Sequence, residues 1–344
     1  MKKIAVLLLS LSLMVLVAEI ILRSLGYEAL HYKKYEGTER KKCMPKRLAR
    51  DKYLGYCHEP GKHICYLDNK LKYTITNLQD SSRATYYNKE NPKDKNRSIH
   101  LYGGSVTYGH AIHDTSTMGW IMQDALKNWH VRNYGLNGGS IVQSYLWLKR
   151  NVNNGKKPYI AILNYSSYLD MRNALIWPWR KMWQKRILSL QTSKTTFFEN
   201  FHLPYATSSD HGIDIKQMPK EVFLNNLPLV KYSALMNLLN EVFNLAKDAF
   251  TDEREITDKL ILKMADYCDK NGIKFIINGI TNDRATRKSI NYWKSKGILT
   301  NHIPIDFVES DRFNLKPNDS HPNQITNEIY AYRTMFYLQM YFAE

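Results

Sequence analysis

Strand and helix signals alternate along the chain from residue 97 to the carboxyl end, and this alternation limits the possible folds more than any other feature. Apolar segments typical of strands fall at 98–103, 130–135, 159–165, 274–279 and 303–307. Helical patterns fall between and after them, the clearest at about 116–128, 140–152, 233–249, 253–270 and 324–342. Strands that alternate with helices pair in parallel and bury both faces of the sheet. The sequence therefore predicts an α/β fold, a three-layer α/β/α sandwich with a central parallel sheet.

An apolar run behind two lysines precedes this domain. It extends from Ile4 to Leu22 with Glu19 as its only charged residue, and as a helix these nineteen residues approach the hydrocarbon thickness of about 30 Å. Signal cleavage needs small residues before the cut, and residues 16–18 (Leu-Val-Ala) match that pattern poorly. We therefore predict that residues 1–26 form a transmembrane anchor, with secretion after signal cleavage as the alternative.

The charges on the two sides of this segment favour opposite orientations. Lys2 and Lys3 favour a cytoplasmic amino end, which puts the domain in a periplasm or on the outer face of the cell. Residues 31–50 contain eight Lys or Arg and two Glu, and basic residues beside an anchor normally stay in the cytoplasm. We predict the extracytoplasmic orientation, which the four cysteines also fit.

The formal net charge of +17 at pH 7 marks a strongly basic chain. No zinc-finger, helix-turn-helix or RNA-binding signature accompanies the charge, so no nucleic-acid partner is predicted. A basic surface that faces anionic lipid or an acidic polymer explains the same charge.

Shifts in composition indicate the domain boundaries. Residues 27–96 form a basic, tyrosine-rich extension, and residues 97–344 carry the alternating strands and helices. An aromatic-rich insert at about 171–230 has no regular period and is predicted to be a loop region. Its tryptophans, among them Trp177 and Trp183, could stack on sugar rings, lie on lipid or form a local packed cluster.

Three cysteines lie in the extension. Cys57 and Cys65 bracket the turn "HEPGKHI" and are candidates for a disulfide, with Cys43 just upstream, and the pairing among the three is open. His58 and His63 in the same turn are a weaker candidate for a zinc site. Nothing else in the sequence requires a metal or a cofactor, and we predict neither.

In an open parallel sheet, ligands bind beyond the carboxyl ends of the strands, and polar clusters follow several predicted strands here. The first is "GGSVTYG", in which two glycines permit a tight turn that displays Ser105. The second is "NYGLNGG", where Gly138 or Gly139 could aim a backbone N–H at an oxyanion. The third is "NYSSYLDMRN" at 164–173. A serine in such a turn acts as a nucleophile only if a base is supplied from elsewhere.

The last cluster supplies that base. In "NDSHPN", Asp319 and His321 lie two residues apart in a turn with prolines on both sides. A carboxylate beside an imidazole can hold its Nδ1–H and leave Nε2 to accept the serine proton.

Taken in this order, "GGSVTYG", "NYGLNGG" and "NDSHPN" resemble the sequence blocks of the SGNH/GDSL hydrolase superfamily over roughly residues 97–340. The resemblance implies a flavodoxin-like α/β/α fold. It implies Ser105 as nucleophile and oxyanion donor, with Gly138 as the second donor. It further implies His321 as general base and Asp319 as its orienter. The anchor and "DKYLGYCHEPG" resemble the membrane-tethered members that have Gly-Gly-Ser in the first block.

The third block departs from the family pattern. Its oxyanion asparagine is expected near Tyr168, and no Gly-x-Asn-Asp occurs there. Asn164, Ser166 and Ser167 are the candidate replacements. The segment "GITND" at 279–283 matches the sequence pattern of this block, but it follows a different strand from the one expected. We therefore interpret it as unrelated to the site. Loss of one oxyanion donor costs about 10²- to 10³-fold in rate in other enzymes.

These features predict a serine-dependent acyl-ester hydrolase, or an O-acyltransferase, that works through an acyl-enzyme. The predicted substrate is an acylated cell-envelope glycan or lipid, and a membrane protein that hands over acyl groups is a further candidate partner. The alternative is a catalytically weak or inactive binding or scaffold protein that keeps the fold, because the third block is altered.

Overall fold

The computed structural model describes residues 2–30, 41–44, 48–67, 71–86, 97–191, 196–210 and 212–342. The chain divides into two compact units. The larger unit comprises Gly37–Leu175, Phe201–Gln217 and Glu253–Glu344, and the smaller one comprises Met1–Glu36, Ile176–Asn200 and Met218–Asp252.

The described residues form the following elements. In chain order, the strands are β1 (Lys41–Met44), β2 (Leu48–Asp51), β3 (Gly55–His58), β4 (Gly61–Leu67), β5 (Leu71–Asn77), β6 (Ser98–Gly103), β7 (His130–Gly135), β8 (Ile160–Tyr165), β9 (His202–Ser209), β10 (Gly212–Pro219), β11 (Lys274–Gly279), β12 (Leu299–His302), β13 (Asn314–Leu315) and β14 (Asp319–Pro322). The α-helices are α1 (Lys2–Ser24), α2 (Ser105–Tyr108), α3 (Met118–Ala125), α4 (Ile141–Asn153), α5 (Asp170–Asn173), α6 (Trp177–Gln191), α7 (Lys220–Phe223), α8 (Ala234–Asp248), α9 (Glu253–Lys270), α10 (Arg284–Ser295) and α11 (Gln324–Phe342).

A five-stranded parallel sheet with the order β12-β11-β8-β6-β7 lies at the centre of the larger unit. Counted by sequence within the sheet, this is the flavodoxin-like order 2-1-3-4-5, and it reverses between β6 and β8. Helices cover the sheet, so the predicted three-layer α/β/α fold is confirmed. Ligands bind at such a reversal point, beyond the carboxyl ends of the two strands.

Both faces of the sheet are buried, as expected for parallel strands. On one face, Ile99 and Leu101 of β6 join a core with Met122 of α3 and Met335 of α11. On the other face, the ring of Tyr134 in β7 packs against Tyr102 of β6 and Trp147 of α4.

The predicted fifth strand at 303–307 is wrong in position, because β12 lies at Leu299–His302 and pairs with β11. Ile303, Ile305 and Phe307 are buried in the core, and of these Ile303 still donates its N–H to the Gly279 carbonyl of β11 at 2.8 Å. Beyond Ile303 the alternation therefore reflects burial and not strand pairing.

The described residues of the extension between 41 and 86 belong to the same unit as the sheet. They form the antiparallel sheets β1-β4-β5 and β2-β3. Arg83 and Asp114 make a fully buried ion pair at 2.7 Å, and Arg83 also donates to the carbonyls of Gly109 and Ile112. Because Gly109 and Ile112 follow Ser105 closely, the extension supports the loop that carries this serine.

Of the pairings that the sequence left open, the candidate Cys57–Cys65 disulfide is excluded. Cys57 is a buried free thiol, whose pKa burial raises, whereas Cys65 is disulfide-bonded and lies opposite Cys43 in the β1–β4 register. The reason is the sheet order, since β3 pairs with β2 and β4 pairs with β1. The candidate zinc histidines have other contacts: His58 stacks on Tyr108 at 3.8 Å between ring centroids, and the Nε2 of His63 lies 2.8 Å from the Glu59 carbonyl oxygen.

The smaller unit contains α1, α6, α7 and α8. The prediction of an irregular insert is wrong, because α6 spans Trp177–Gln191 and β9 and β10 pair further along the insert. Pro178 lies in the first turn of α6, where a missing N–H has little cost. Trp177 and Trp183 are buried, which favours the local packed cluster. Helix α1 is long and apolar enough to cross a membrane, a criterion that a signal sequence also meets.

Candidate active site

Ser105 is the first residue of α2, two residues beyond the end of β6. Gly103 has φ +146°, and a Cβ there would lie 2.3 Å from Thr107 Oγ1 and 2.9 Å from the Asn164 carbonyl oxygen. Gly109 ends α2 in the left-handed region, with its N–H bonded to the Ser105 carbonyl. Glycine is therefore required at 103 so that the chain can turn sharply and present the serine.

Ser105, His321 and Asp319 form a continuous hydrogen-bonded line. The Nε2 of His321 lies 2.9 Å from Ser105 Oγ, and its Nδ1 lies 2.5 Å from Asp319 Oδ1. The same carboxylate oxygen accepts the backbone N–H of His321 at 2.7 Å, which fixes the turn. The Ser105 residue and the Asp319 side chain are each 7% exposed. This is the geometry that a nucleophile, its base and the orienter of that base require.

His110 is a member of this site that the sequence analysis did not nominate. Its ring centroid lies 4.4 Å from that of His321, its Nδ1 is 3.1 Å from Asn137 Oδ1, and its Nε2 is 4.0 Å from Asp319 Oδ2. The available signal was its place directly after the first glycine block, in "GGSVTYGH".

His110, Asp319 and His321 could together hold a metal ion, since one ligand atom from each lies within 4.8 Å of the others. Both ring nitrogens of His321 already lie within hydrogen-bond distance of Ser105 and Asp319. A cation bound through His321 would therefore displace one of these two contacts.

The glycine block after β7 lies beside α2. A Cβ on Gly135 would lie 2.3 Å from the Tyr108 nitrogen, so only glycine permits this approach. Gly138 has φ +71°, and its N–H makes no hydrogen bond to any residue that the structure describes. The N–H of Gly139 is bonded to the Leu136 carbonyl at 2.8 Å. Of the two predicted glycines, Gly138 is therefore the one with an available amide.

The three candidate replacements in the third block have their side-chain donors bonded to other groups. Asn164 donates to Thr107 Oγ1 at 3.1 Å and Ser167 donates to Asp283 Oδ1 at 2.8 Å. The hydroxyl of Ser166 lies 2.9 Å from that of Thr281. Among the described residues, none of these three side chains bonds to Ser105.

The segment 279–283 has a structural role. Asp283 is the N-cap of α10 and accepts the Thr286 N–H at 2.7 Å. Burial raises the pKa of the Asp283 carboxyl, but hydrogen bonds from Thr281 and Thr286 outweigh this effect and lower it to about 2. The Asn282-Asp283 pair in this segment thus belongs to the N-terminal cap of α10.

Arg172 of α5 lies in the third block and was also missed. Its Nη1 donates to the Gly139 carbonyl at 3.2 Å, and a Cβ on Gly104 would lie 3.5 Å from the same nitrogen. Its guanidinium lies 4.8 Å from the ring centroid of Tyr168, and burial lowers its pKa. A cation is thus positioned beside the residue that precedes Ser105 and beside the glycine block.

Comparisons with known proteins give distant similarities only. No protein-family model matches the chain. No curated protein matches it. Similar solved structures include a member of the lipolytic protein G-D-S-L family from Veillonella parvula DSM 2008 (11% identity, 70% of this chain and 97% of that chain, TM-score 0.38). They also include TesA (10%, 71% and 99%, TM-score 0.40) and the acetyl xylan esterase Est2A from the rumen bacterium Butyrivibrio proteoclasticus (11%, 71% and 64%, TM-score 0.36). Similarity at this level assigns no activity.

Proposed function

We propose that this chain, which has an SGNH/GDSL hydrolase-like fold, is a serine-dependent acyl-ester enzyme that works through an acyl-enzyme. The observation that supports this most strongly is the hydrogen-bonded line from Ser105 through His321 to Asp319, between positions 216 residues apart in sequence. Acyl transfer needs a base within hydrogen-bond reach of the hydroxyl, and here that distance is 2.9 Å. Ser105 follows β6 at the reversal point of the sheet, where ligands bind in folds of this kind.

In the proposed first half-reaction, Ser105 Oγ attacks the ester carbonyl carbon while His321 Nε2 accepts the serine proton. The tetrahedral intermediate then collapses, its bond to the alcohol breaks, and the leaving alcohol takes the proton from His321. Asp319 holds the imidazole through Nδ1 and stabilises its protonated form. In the second half-reaction, water or a sugar hydroxyl attacks the acyl carbon while His321 Nε2 accepts its proton. The bond between the acyl carbon and Ser105 Oγ then breaks, Ser105 Oγ takes the proton back from His321, and the acid or the new ester leaves. Water gives a hydrolase, and a sugar gives an O-acyltransferase.

Three groups are proposed to stabilise the oxyanion. The backbone amides of Ser105 and Gly138 are the two donors expected from the sequence. We assign the third position to the guanidinium of Arg172, which lies in the block where the asparagine is missing. A positive charge in a partly buried site attracts a developing oxyanion more strongly than a neutral amide does.

The proposed substrate is an acylated cell-envelope glycan or lipid, outside the cytoplasm. Helix α1 supports a membrane location, and the net charge of +17 suits an anionic surface or polymer. A membrane protein that supplies acyl groups is a proposed partner for the transferase variant of this function.

A binding or scaffold protein is the second candidate, because the side-chain donors of Asn164, Ser166 and Ser167 are bonded away from Ser105. Labelling of the full chain in detergent by a fluorophosphonate, together with turnover of short-chain aryl esters, separates the two candidates. We expect Ser105→Ala to abolish labelling and turnover with an unchanged melting temperature.

Ser166→Ala is the matched control, since this serine follows the neighbouring strand and its hydroxyl faces Thr281. We expect Ser166→Ala to label like the wild type. Labelling that persists in Ser105→Ala would contradict the nucleophile assignment. A folded wild type that neither labels nor turns over esters would favour the binding protein.

A further inference from the structure

Helix α8 in the smaller unit has its apolar face outward. Its sequence places apolar residues at positions that share one side of a helix, and the three residues that it buries are Ala234, Asn240 and Asn244. The large apolar residues that α8 exposes are Leu239, Val242, Phe243 and Leu245, with exposed fractions of 45%, 54%, 47% and 52%. A surface helix normally buries its apolar stripe and exposes the polar one.

The polar face of α8 is held inward by hydrogen bonds and ion pairs within the same unit. Asn240 accepts the Leu227 N–H at 3.0 Å through Oδ1. Glu241 accepts the Trp177 indole N–H at 2.9 Å and pairs with Lys181 at 2.7 Å. Rotation of α8 to bury its leucines would break these contacts, so the outward apolar face is a consequence of packing.

The first turn of α8 lies against the carboxyl-terminal end of α1. The Glu19 carboxylate accepts the Ser233 hydroxyl at 2.8 Å and the N–H groups of Ala234 and Leu235 at 2.8 and 3.0 Å. Arg23 donates to the Tyr232 carbonyl at 2.9 Å. If α1 spans a bilayer, its last turn lies at the membrane boundary, and α8 therefore starts at that same depth.

We infer that the apolar face of α8 is a second membrane contact, which lies in the interface between headgroups and acyl chains. The inference rests on the proposed anchoring through α1. Lys231 and Lys247 flank the exposed face, and Tyr232 and Phe250 near its two ends are 77% and 99% exposed. Basic residues beside apolar and aromatic ones are typical of helices that lie about 5–10 Å deep in an anionic membrane surface.

Continuity with α1 and the flanking positive charge favour lipid over a protein partner as the occupant. The test uses the full chain in proteoliposomes that contain anionic phospholipid. An environment-sensitive fluorophore is attached at Val242→Cys, and at Lys127→Cys as the control. Lys127 is exposed in the larger unit, and the free thiols of Cys57 and Cys268 are buried. The wild type, carried through the same labelling, gives the background.

We expect the probe at position 242 to be quenched by lipids brominated in the upper acyl chain and to be protected from aqueous iodide. The probe at position 127 should show the reverse. Equal iodide quenching at the two positions in a chain that resists carbonate extraction would overturn the inference, and so would cross-linking between two copies through α8 without lipid quenching. Release of the chain by carbonate would refute the α1 anchor itself, and ester turnover tests the proposed activity separately.

Discussion

The candidate active site has two sides, and only one of them has all the groups that the sequence predicted. On the side of the proposed proton relay, His321 lies at hydrogen-bond distance from both Ser105 and Asp319. On the oxyanion side, the expected side-chain donors are bonded elsewhere, and Arg172 lies beside the glycine block instead. Proton transfer requires one base within hydrogen-bond reach of one hydroxyl, whereas any well-placed N–H or cation can stabilise an oxyanion. The second requirement therefore tolerates more variation in sequence.

Of the two sides compared, the larger effect on kcat is expected on the side of the proposed relay, from Asp319→Asn. An amide cannot stabilise the imidazolium and favours the wrong tautomer, so we expect kcat for aryl esters to fall about 10⁴-fold. Asp311→Asn is the control, because Asp311 is an exposed acid that pairs only with Lys316 among the described residues. A loss of only a few-fold in Asp319→Asn would mean that the relay in the structure is not the catalytic one.

A smaller loss of kcat is expected on the side of the proposed oxyanion donors, from Arg172→Ala. Removal of one oxyanion donor costs about 10²- to 10³-fold in kcat, and KM should change little because the interaction belongs to the transition state. Arg172→Lys should recover part of kcat, since it keeps the charge. Arg287→Ala on α10 is the control, with the melting temperature measured for all variants. Equal effects of the Ala and Lys variants on kcat would indicate a purely structural role.

No loss of turnover is expected from Asp170→Asn, on the same short helix as Arg172. Burial raises the pKa of the Asp170 carboxyl to about 7, while hydrogen bonding from Tyr165 and the charge of Arg254 oppose this and Asp258 adds to it. A carboxyl of an unfolded chain titrates near 3.9, so the folded state binds more protons between about pH 4 and pH 7. Stability from this group is therefore present below pH 4 and is lost as the pH rises through 7.

The corresponding measurement is the melting temperature of both proteins at pH 5 and pH 8. The Asp170→Asn variant should lack the loss of stability that titration of Asp170 causes between these pH values. The difference between its melting temperature and that of the wild type should therefore be more positive at pH 8 than at pH 5. The same relative value at both pH values would show that Asp170 titrates normally.

Much of the site was predictable because its signals are local. The Gly-Gly-Ser turn follows a strand, and the spacing of Asp319 and His321 alone lets one side chain reach the other. The candidate donors of the third block could not be judged from the sequence, because their contacts are with distant segments. Ser166 and Ser167 face Thr281 and Asp283 more than a hundred residues away, and no pattern around position 166 indicates those partners.

For helices α8 and α9, the sequence by itself determined where the helices form but not which face of each helix is buried. Both show an apolar face at helical spacing, and both form helices at the predicted places, since this period is a property of consecutive residues. Helix α9 buries its apolar residues, among them Leu260 and Met264, whereas α8 buries Asn240 and exposes Val242. Only the tertiary structure decided which face packs, because that depends on partners from α1 and α6 that lie far away in the sequence.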